Sequence, residues 1–310
     1  MIPALALALL LGAGAAGATA ADGGVAQRLV PASASLVEMA LRVKDPARDP
    51  LPGDPVLAEQ IRRGYALFQN TPREAPGSVA SALSCGSCHL HAGQKEGALP
   101  LVGIAAVFPE YNRRSGRVFT LEDRVVGCFL RSLNSTALRK DPRGEHENAT
   151  PHPGPDSPEV QAIAAYLRWL SEGVTAEETR AWRDPQRSRL KRIPVSRLDP
   201  ARGARLYREK CDQCHGANGQ GVAIGDVHPA PLWGPRSWND GAGAARVRTL
   251  ASFLREAMPY SDPGSLTDEE AQQIAAYIDS KPRPAFPEKG RDYQVEPLPE
   301  DAVYYRRKPR

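Results

Sequence analysis

Apolar residues recur at helical spacing in two well-separated stretches of this chain. Ile163, Tyr166, Leu167 and Leu170 fall on one face, and Ile274, Tyr277 and Ile278 fall on another. Each stretch therefore predicts an amphipathic helix. Ser157-Pro158-Glu159 and Thr267-Asp268-Glu269 precede them and read as helix starts, with a small polar or proline residue followed by acids. Upstream of each lies a further segment with an apolar and aromatic side, Arg63-Gly64-Tyr65-Ala66-Leu67-Phe68 and Arg202-Gly203-Ala204-Arg205-Leu206-Tyr207. The later stretches also match: Ile163-Ala164-Ala165-Tyr166-Leu167 recurs as Ile274-Ala275-Ala276-Tyr277-Ile278. Helix, intervening segment and closing helix thus occur twice, which predicts a duplicated, all-α module. Residues 33–43 predict a short helix ahead of the first copy.

The chain has 310 residues and five cysteines. Four of them form Cys85-Gly86-Ser87-Cys88-His89 and Cys211-Asp212-Gln213-Cys214-His215, each between the first and last helix of its module. A single Cys-x-x-Cys pair suits redox or zinc chemistry equally well. Two complete motifs, each followed at once by histidine, predict two covalently bound haem c groups. Cys85, Cys88, Cys211 and Cys214 are then the attachment thiols, and His89 and His215 the proximal iron ligands. The predicted fold is two class I-type cytochrome c domains in tandem, with an insertion in the first. Residues 45–185 are assigned to the haem 1 domain and 198–283 to the haem 2 domain. Residues 21–44 form an N-terminal extension, 186–197 a charged linker containing Pro194, and 284–310 a tail that either lies on the surface or straps a domain.

Ala4–Leu11 is a short apolar stretch followed by Ala18-Thr19-Ala20, the pattern of a secretory signal cleaved after residue 20. No later segment approaches 18 consecutive apolar residues, so no stable membrane insertion is expected and the periplasm is the expected location. The formal charge is +4, from 40 Lys plus Arg against 36 Asp plus Glu, before any haem propionate is counted. Such modest basicity requires neither nucleic acid nor a membrane surface as partner.

The distal sides of the two haems read differently. Cys128 has no cysteine left to pair with, in a compartment that oxidises thiols. It is either an inert buried thiol or the distal ligand of haem 1, where a thiolate favours ferric iron. His91, His146 and His152 are weaker candidates for that position. For haem 2 the candidate is Met258, between the second motif and the closing helix, with His228 as competitor; Met39, far from both motifs, reads as a packing residue. A His/Met haem favours the reduced state more than a His/thiolate haem, which sets an electron path from haem 1 to haem 2 and outward. Arg113, Arg114, Arg117, Arg124 and Arg131 surround Cys128 in sequence. They form either a solvated surface or, turned inward, a site for a small doubly charged anion. Ser132 is four residues beyond Cys128, so a helix puts its hydroxyl on the same face.

These segments carry a family resemblance. Cys85–His89, Arg114–Arg117, the run Arg124-Val125-Val126-Gly127-Cys128-Phe129-Leu130-Arg131-Ser132-Leu133-Asn134, Cys211–Gly216, Pro231-Leu232-Trp233-Gly234-Pro235 and Met258-Pro259-Tyr260 resemble the periplasmic dihaem thiosulfate dehydrogenases, the tetrathionate-forming cytochromes c. The resemblance implies that two thiosulfate ions are joined into tetrathionate and that two electrons pass to a c-type cytochrome or another periplasmic acceptor. It further implies that Cys128 ligates haem 1 and takes part in the sulfur chemistry, while Arg114, Arg124 and Ser132 position the anions. One departure is Ala244, at a position where the family can carry a methionine that offers haem 2 an alternative ligand. The competing readings are a pure dihaem electron carrier and the haem subunit of a complex that attaches thiosulfate to a carrier protein. A dihaem peroxidase is disfavoured because Cys128 would obstruct peroxide at haem 1.

Overall fold

The computed structural model describes residues 25–135, 152–186, 190–225 and 228–305. The proposed signal segment, His146 and the last five residues lie outside the described residues. In chain order the helices are α1 (Leu36–Arg42), α2 (Pro55–Gln69), α3 (Thr71–Glu74), α4 (Leu90–Gly93), α5 (Leu121–Arg131), α6 (Pro158–Leu170), α7 (Ala176–Gln186), α8 (Pro200–Lys210), α9 (Asp212–His215), α10 (Val247–Ala257) and α11 (Asp268–Ile278). Two cytochrome c domains result: α2 packs on α6 in the first, and α8 packs on α11 in the second. None of the described helices is long and apolar enough to cross a membrane.

The repeated residues of the sequence sit at the repeated crossing. A β-carbon on Gly64 would overlap the Ala162 carbonyl oxygen and press on Tyr166; one on Gly203 would overlap the Gln273 carbonyl oxygen and press on Tyr277. Glycine therefore sets how closely the first and last helices approach in each domain. Next to each crossing, equivalent rings meet at an incline: the Phe68 and Tyr166 centroids are 5.5 Å apart, and those of Tyr207 and Tyr277 are 5.3 Å apart. Such ring pairs contribute about 0.5–1.5 kcal/mol beyond simple burial. Phe68, Tyr166, Tyr207 and Ile274 are all fully buried.

Local chemistry fixes the helix ends. Asp54 accepts from the Val56 and Leu57 amides with Pro55 at the first helical position, and Asp199 accepts from Ala201 ahead of α8. Thr120 with Asp123 and Thr267 with Glu270 form reciprocal caps at α5 and α11. In α1 the cap is Ser35, which accepts from Glu38. Met39 on that helix is buried packing.

Two features depart from the sequence expectations. A two-stranded antiparallel hairpin, β1 (Glu110–Asn112) and β2 (Arg117–Phe119), pairs Tyr111 with Val118. Its turn closes when Asn112 accepts from Ser115 through its side chain and from Gly116 through its carbonyl, a local signal too short for periodicity to reveal. The second is α7, which the periodicity did not mark and which runs to Gln186, the first residue assigned to the linker. Arg183 is held there by Glu110 at 2.6 Å, and Thr175 with Glu178 caps the start. The tail straps rather than trails: Asp301 receives Arg246 and the Arg248 amide, and Asp240 receives the Phe286 amide and Lys289.

Replacing Gly203 with alanine forces α8 and α11 apart and should lower stability by roughly 3 kcal/mol. Guanidinium unfolding followed by circular dichroism checks this, and an unchanged midpoint would contradict the close-approach account.

Candidate functional site

The first haem motif lies between the crossing of α2 and α6 and the face of α5. His89 Nδ1 is 2.6 Å from the Leu99 carbonyl, so that nitrogen carries the proton and Nε2 is left for a metal. Burial pushes the His89 pKa down to about 4, against an opposing contribution from that carbonyl and with nearby Arg124 lowering it further. The ring is thus neutral at pH 7, as an iron ligand must be. Burial, and then the proximity of Cys128, push Cys85 up to about 12 and Cys88 up to about 11, although part of each residue remains accessible. Cys128 therefore lies close to both attachment thiols, although α5 begins more than thirty residues further along.

At the second motif, the His215 Nδ1 is buried and makes no hydrogen bond. The Ala230 backbone lies near enough to oppose the burial that lowers its pKa. Gly219, at φ +70°, has the Trp233 ring where a β-carbon would stand, so this loop closes tightly beside the motif. Met258 follows α10 as its C-cap and packs against the hydrophobic core. His228 is exposed, with its Nδ1 facing the Pro229 carbonyl at 3.2 Å. Among the described residues no three His, Cys, Asp or Glu side chains converge as a bare metal ion would need. Paired thiols beside a single histidine instead fit an iron carried in its own macrocycle, and the chain binds two covalently attached haem c groups.

Helix α5 is two-sided. Leu121, Val125 and Phe129 are buried in the core, and the flank beside them carries Cys128, close to the motif thiols, and the exposed Arg124, near His89. Ser132 caps the helix, its amide donating to the Cys128 carbonyl, so it does sit one turn beyond Cys128. Arg114, in the turn of the β1–β2 hairpin, is pulled down to about 10 by burial, then by Arg131 and Arg124. It remains charged at neutral pH. The five arginines separate into two groups. Arg124 and Arg131 are each close enough to influence Arg114. Arg113 pairs with Glu296 at 3.0 Å and Arg117 with Asp123 at 2.9 Å, both largely in solvent. His91 donates to or accepts from the Tyr260 hydroxyl at 3.0 Å, which ties it to the Met258 loop. His152 is half-buried with Nδ1 3.3 Å from the Pro153 carbonyl.

Sequence reasoning missed the groups that hold these arginines. The Gly241 carbonyl accepts from both Arg114 and Arg131, at 2.5 and 3.0 Å. Asp292 accepts from both terminal nitrogens of Arg131, each at 2.7 Å. Asn239 donates to the Leu130 carbonyl at 2.8 Å, and its amide to Arg131 at 3.1 Å, finishing the C-terminus of α5 from the other domain. Nothing in the local sequence around 239–241 or 292 marks these roles.

Comparison with known proteins agrees with this arrangement. Residues 74–176 match the family described as SoxA/TsdA, cytochrome c domain. Residues 198–278 match the family described as cytochrome C oxidase, cbb3-type, subunit III. The thiosulfate dehydrogenase of Psychrobacter arcticus is 36% identical over 264 residues, covering 84% of this chain and 74% of its own. That of Allochromatium vinosum is 39% identical over 250 residues, covering 78% and 85%. The solved structure of thiosulfate dehydrogenase (TsdBA) from Marichromatium purpuratum in its as-isolated form superposes with a TM-score of 0.67 at 34% identity. That match covers 82% of this chain and 53% of that one, so this chain spans about half of the solved protein. The chain therefore belongs to the thiosulfate dehydrogenases, a family of cytochromes c.

Proposed function

We propose that this chain couples two thiosulfate ions into tetrathionate and delivers the two released electrons to a c-type cytochrome. The observation that carries this reading is Cys128, close to both thiols of the first haem motif and on the same helix as Arg124 and Arg131, which both lie near Arg114. Cys85, Cys88, His89 and Cys128 would hold haem 1, and Cys211, Cys214, His215 and Met258 would hold haem 2. When bound, the two haems would supply one-electron redox chemistry between the site and the external acceptor.

Arg114 and Arg124 bind the sulfonate ends, with the Ser132 hydroxyl as a further donor. Two dianions about 4 Å apart repel by about 4 kcal/mol even with the screening of bulk water. Guanidiniums fixed before substrate arrives remove that cost without reorganising during the reaction. In the proposed cycle the sulfane sulfur of one thiosulfate bonds to the Cys128 sulfur, and the pair loses two electrons. The second thiosulfate attacks that sulfane sulfur and forms the central S–S bond. Cys128 leaves as thiolate with the electron pair of the broken bond, and tetrathionate departs as a dianion. Atoms and charge balance, and no proton is consumed.

Residues 45–185 are proposed as the catalytic domain and 198–283 as the exit domain, joined by 186–197. The equivalent Gly64 and Gly203 crossings support that division. Covalent haem attachment and the apolar leader in the sequence support a periplasmic location.

Cys128→Gly should retain two covalent haems, change the haem 1 spectrum and lower thiosulfate turnover at least a hundredfold, roughly the loss expected for a nucleophile and ligand together. Full turnover in that variant would exclude Cys128 from the chemistry. Met258→Gly should instead alter the haem 2 spectrum and slow reduction of the external acceptor. An unchanged haem 2 spectrum would remove Met258 as its ligand.

A further inference from the structure

The segment after α11 reaches two of the arginines grouped around α5, Arg131 and Arg114. From Ile278 it runs across the second domain, where Arg283 reaches Asp279 and Lys289 reaches Asp240. It then lays residues 292–296 against the first, before Asp301 and Tyr304 return to the second. Asp292 is almost wholly buried there, with its side chain 3% exposed and that of Arg131 11% exposed. The Tyr305 hydroxyl donates to the same carboxylate at 2.5 Å. Burial and that carboxylate both push the Tyr305 pKa up, so the phenol keeps its proton and remains a donor. The Arg131 guanidinium also lies 4.0 Å over the Phe286 ring. One residue on, the Tyr293 amide donates to the Arg114 carbonyl at 2.7 Å.

The two guanidiniums are consequently in different states. Arg131 gives both terminal nitrogens to Asp292, shares one with Gly241 and is stacked on Phe286. Arg114 gives a single terminal nitrogen to Gly241, which leaves the rest of its fork for an anion. Two like charges sharing one carbonyl repel, and they stay together only because Asp292 compensates one of them. Three guanidiniums and one carboxylate leave two net positive charges, the number that one thiosulfate dianion neutralises.

We propose that Asp292 is a positioning residue for the anion site. By fixing and neutralising Arg131 it keeps Arg114 on Gly241 with its open donors directed to the substrate, and so makes the tail a working part of the first domain's site. This inference rests on the reading that Arg114 and Arg124 bind thiosulfate.

The test compares Asp292→Asn and Asp292→Glu with the native dihaem protein, measuring kcat, KM for thiosulfate, the haem 1 spectrum and the melting temperature. For Asp292→Asn, KM should rise roughly ten- to hundredfold, the equivalent of losing one charge-assisted hydrogen bond. Its kcat should stay within about threefold and its haem 1 spectrum should not change, because neither the thiol nor the iron ligands are touched. Asp292→Glu should fall between the two. A purely structural role would lower the melting temperature and leave KM of the folded fraction at the native value, which overturns the inference; so does a fall in KM. Where Asp292→Asn does not fold, Asp292→Glu decides alone: a KM several-fold above native supports the inference, and a native KM overturns it. Absence of thiosulfate turnover in the native protein overturns the functional reading, and this inference with it. Turnover with an unmoved KM overturns this inference only.

Discussion

Gathering positive charge beside a thiol, inside a fold, is the constraint on which the rest of this structure depends. Water would screen such charges, and burial without partners would expel them. The chain meets the constraint by setting α5 at the junction of everything else. Its Leu121, Val125 and Phe129 face is core, its start is closed by the Thr120–Asp123 cap, and its end is finished by Asn239 from the second domain. The flank beside that face is then left to Arg124 and Cys128. The β1–β2 turn supplies Arg114 from one side, while the tail supplies Asp292 from the other. No single segment of the chain makes the site, because no single segment offers both the cations and the acceptors that hold them.

The two domains use one packing solution for unequal ends. Gly64 and Gly203 bring the first and last helices to van der Waals contact, and the Phe68–Tyr166 and Tyr207–Tyr277 pairs fill the space alongside. That shared frame fixes where each Cys-x-x-Cys-His motif stands. Beyond it the copies diverge. The first surrounds its motif with α5 and the hairpin, and the second with the Gly219–Trp233 loop and the Met258 cap of α10. The His91–Tyr260 contact joins the two motif regions directly, so the proposed donor and acceptor sides are held together by side chains and not by the linker alone.

Much of this was legible in the sequence because its signals are local or periodic. The two motifs, the helix starts at Thr267 and Ser157, and the repeated Tyr166 and Tyr277 helices each need only a few neighbouring residues to be recognised. Cys128 and Ser132 one turn apart followed from helical spacing. The arginines were legible as a group but not as individuals: Arg117 pairs with Asp123 in solvent, whereas Arg114 is drawn in against Gly241. Asp292 and Gly241 were illegible for a physical reason. Their role depends on contacts across 110 and 161 positions of chain, and an aspartate in a polar tail carries no periodic or spacing signal. The hairpin escaped for the converse reason, since its strands are three residues each.

The central claim is that this site joins thiosulfate pairs and exports the electrons through both haems. It is tested most directly by giving purified dihaem protein thiosulfate and a one-electron acceptor, and quantifying acceptor reduced against tetrathionate formed. The account predicts one tetrathionate for every two electrons. Reduction of the acceptor without tetrathionate, or intact haems that thiosulfate does not reduce, would contradict it.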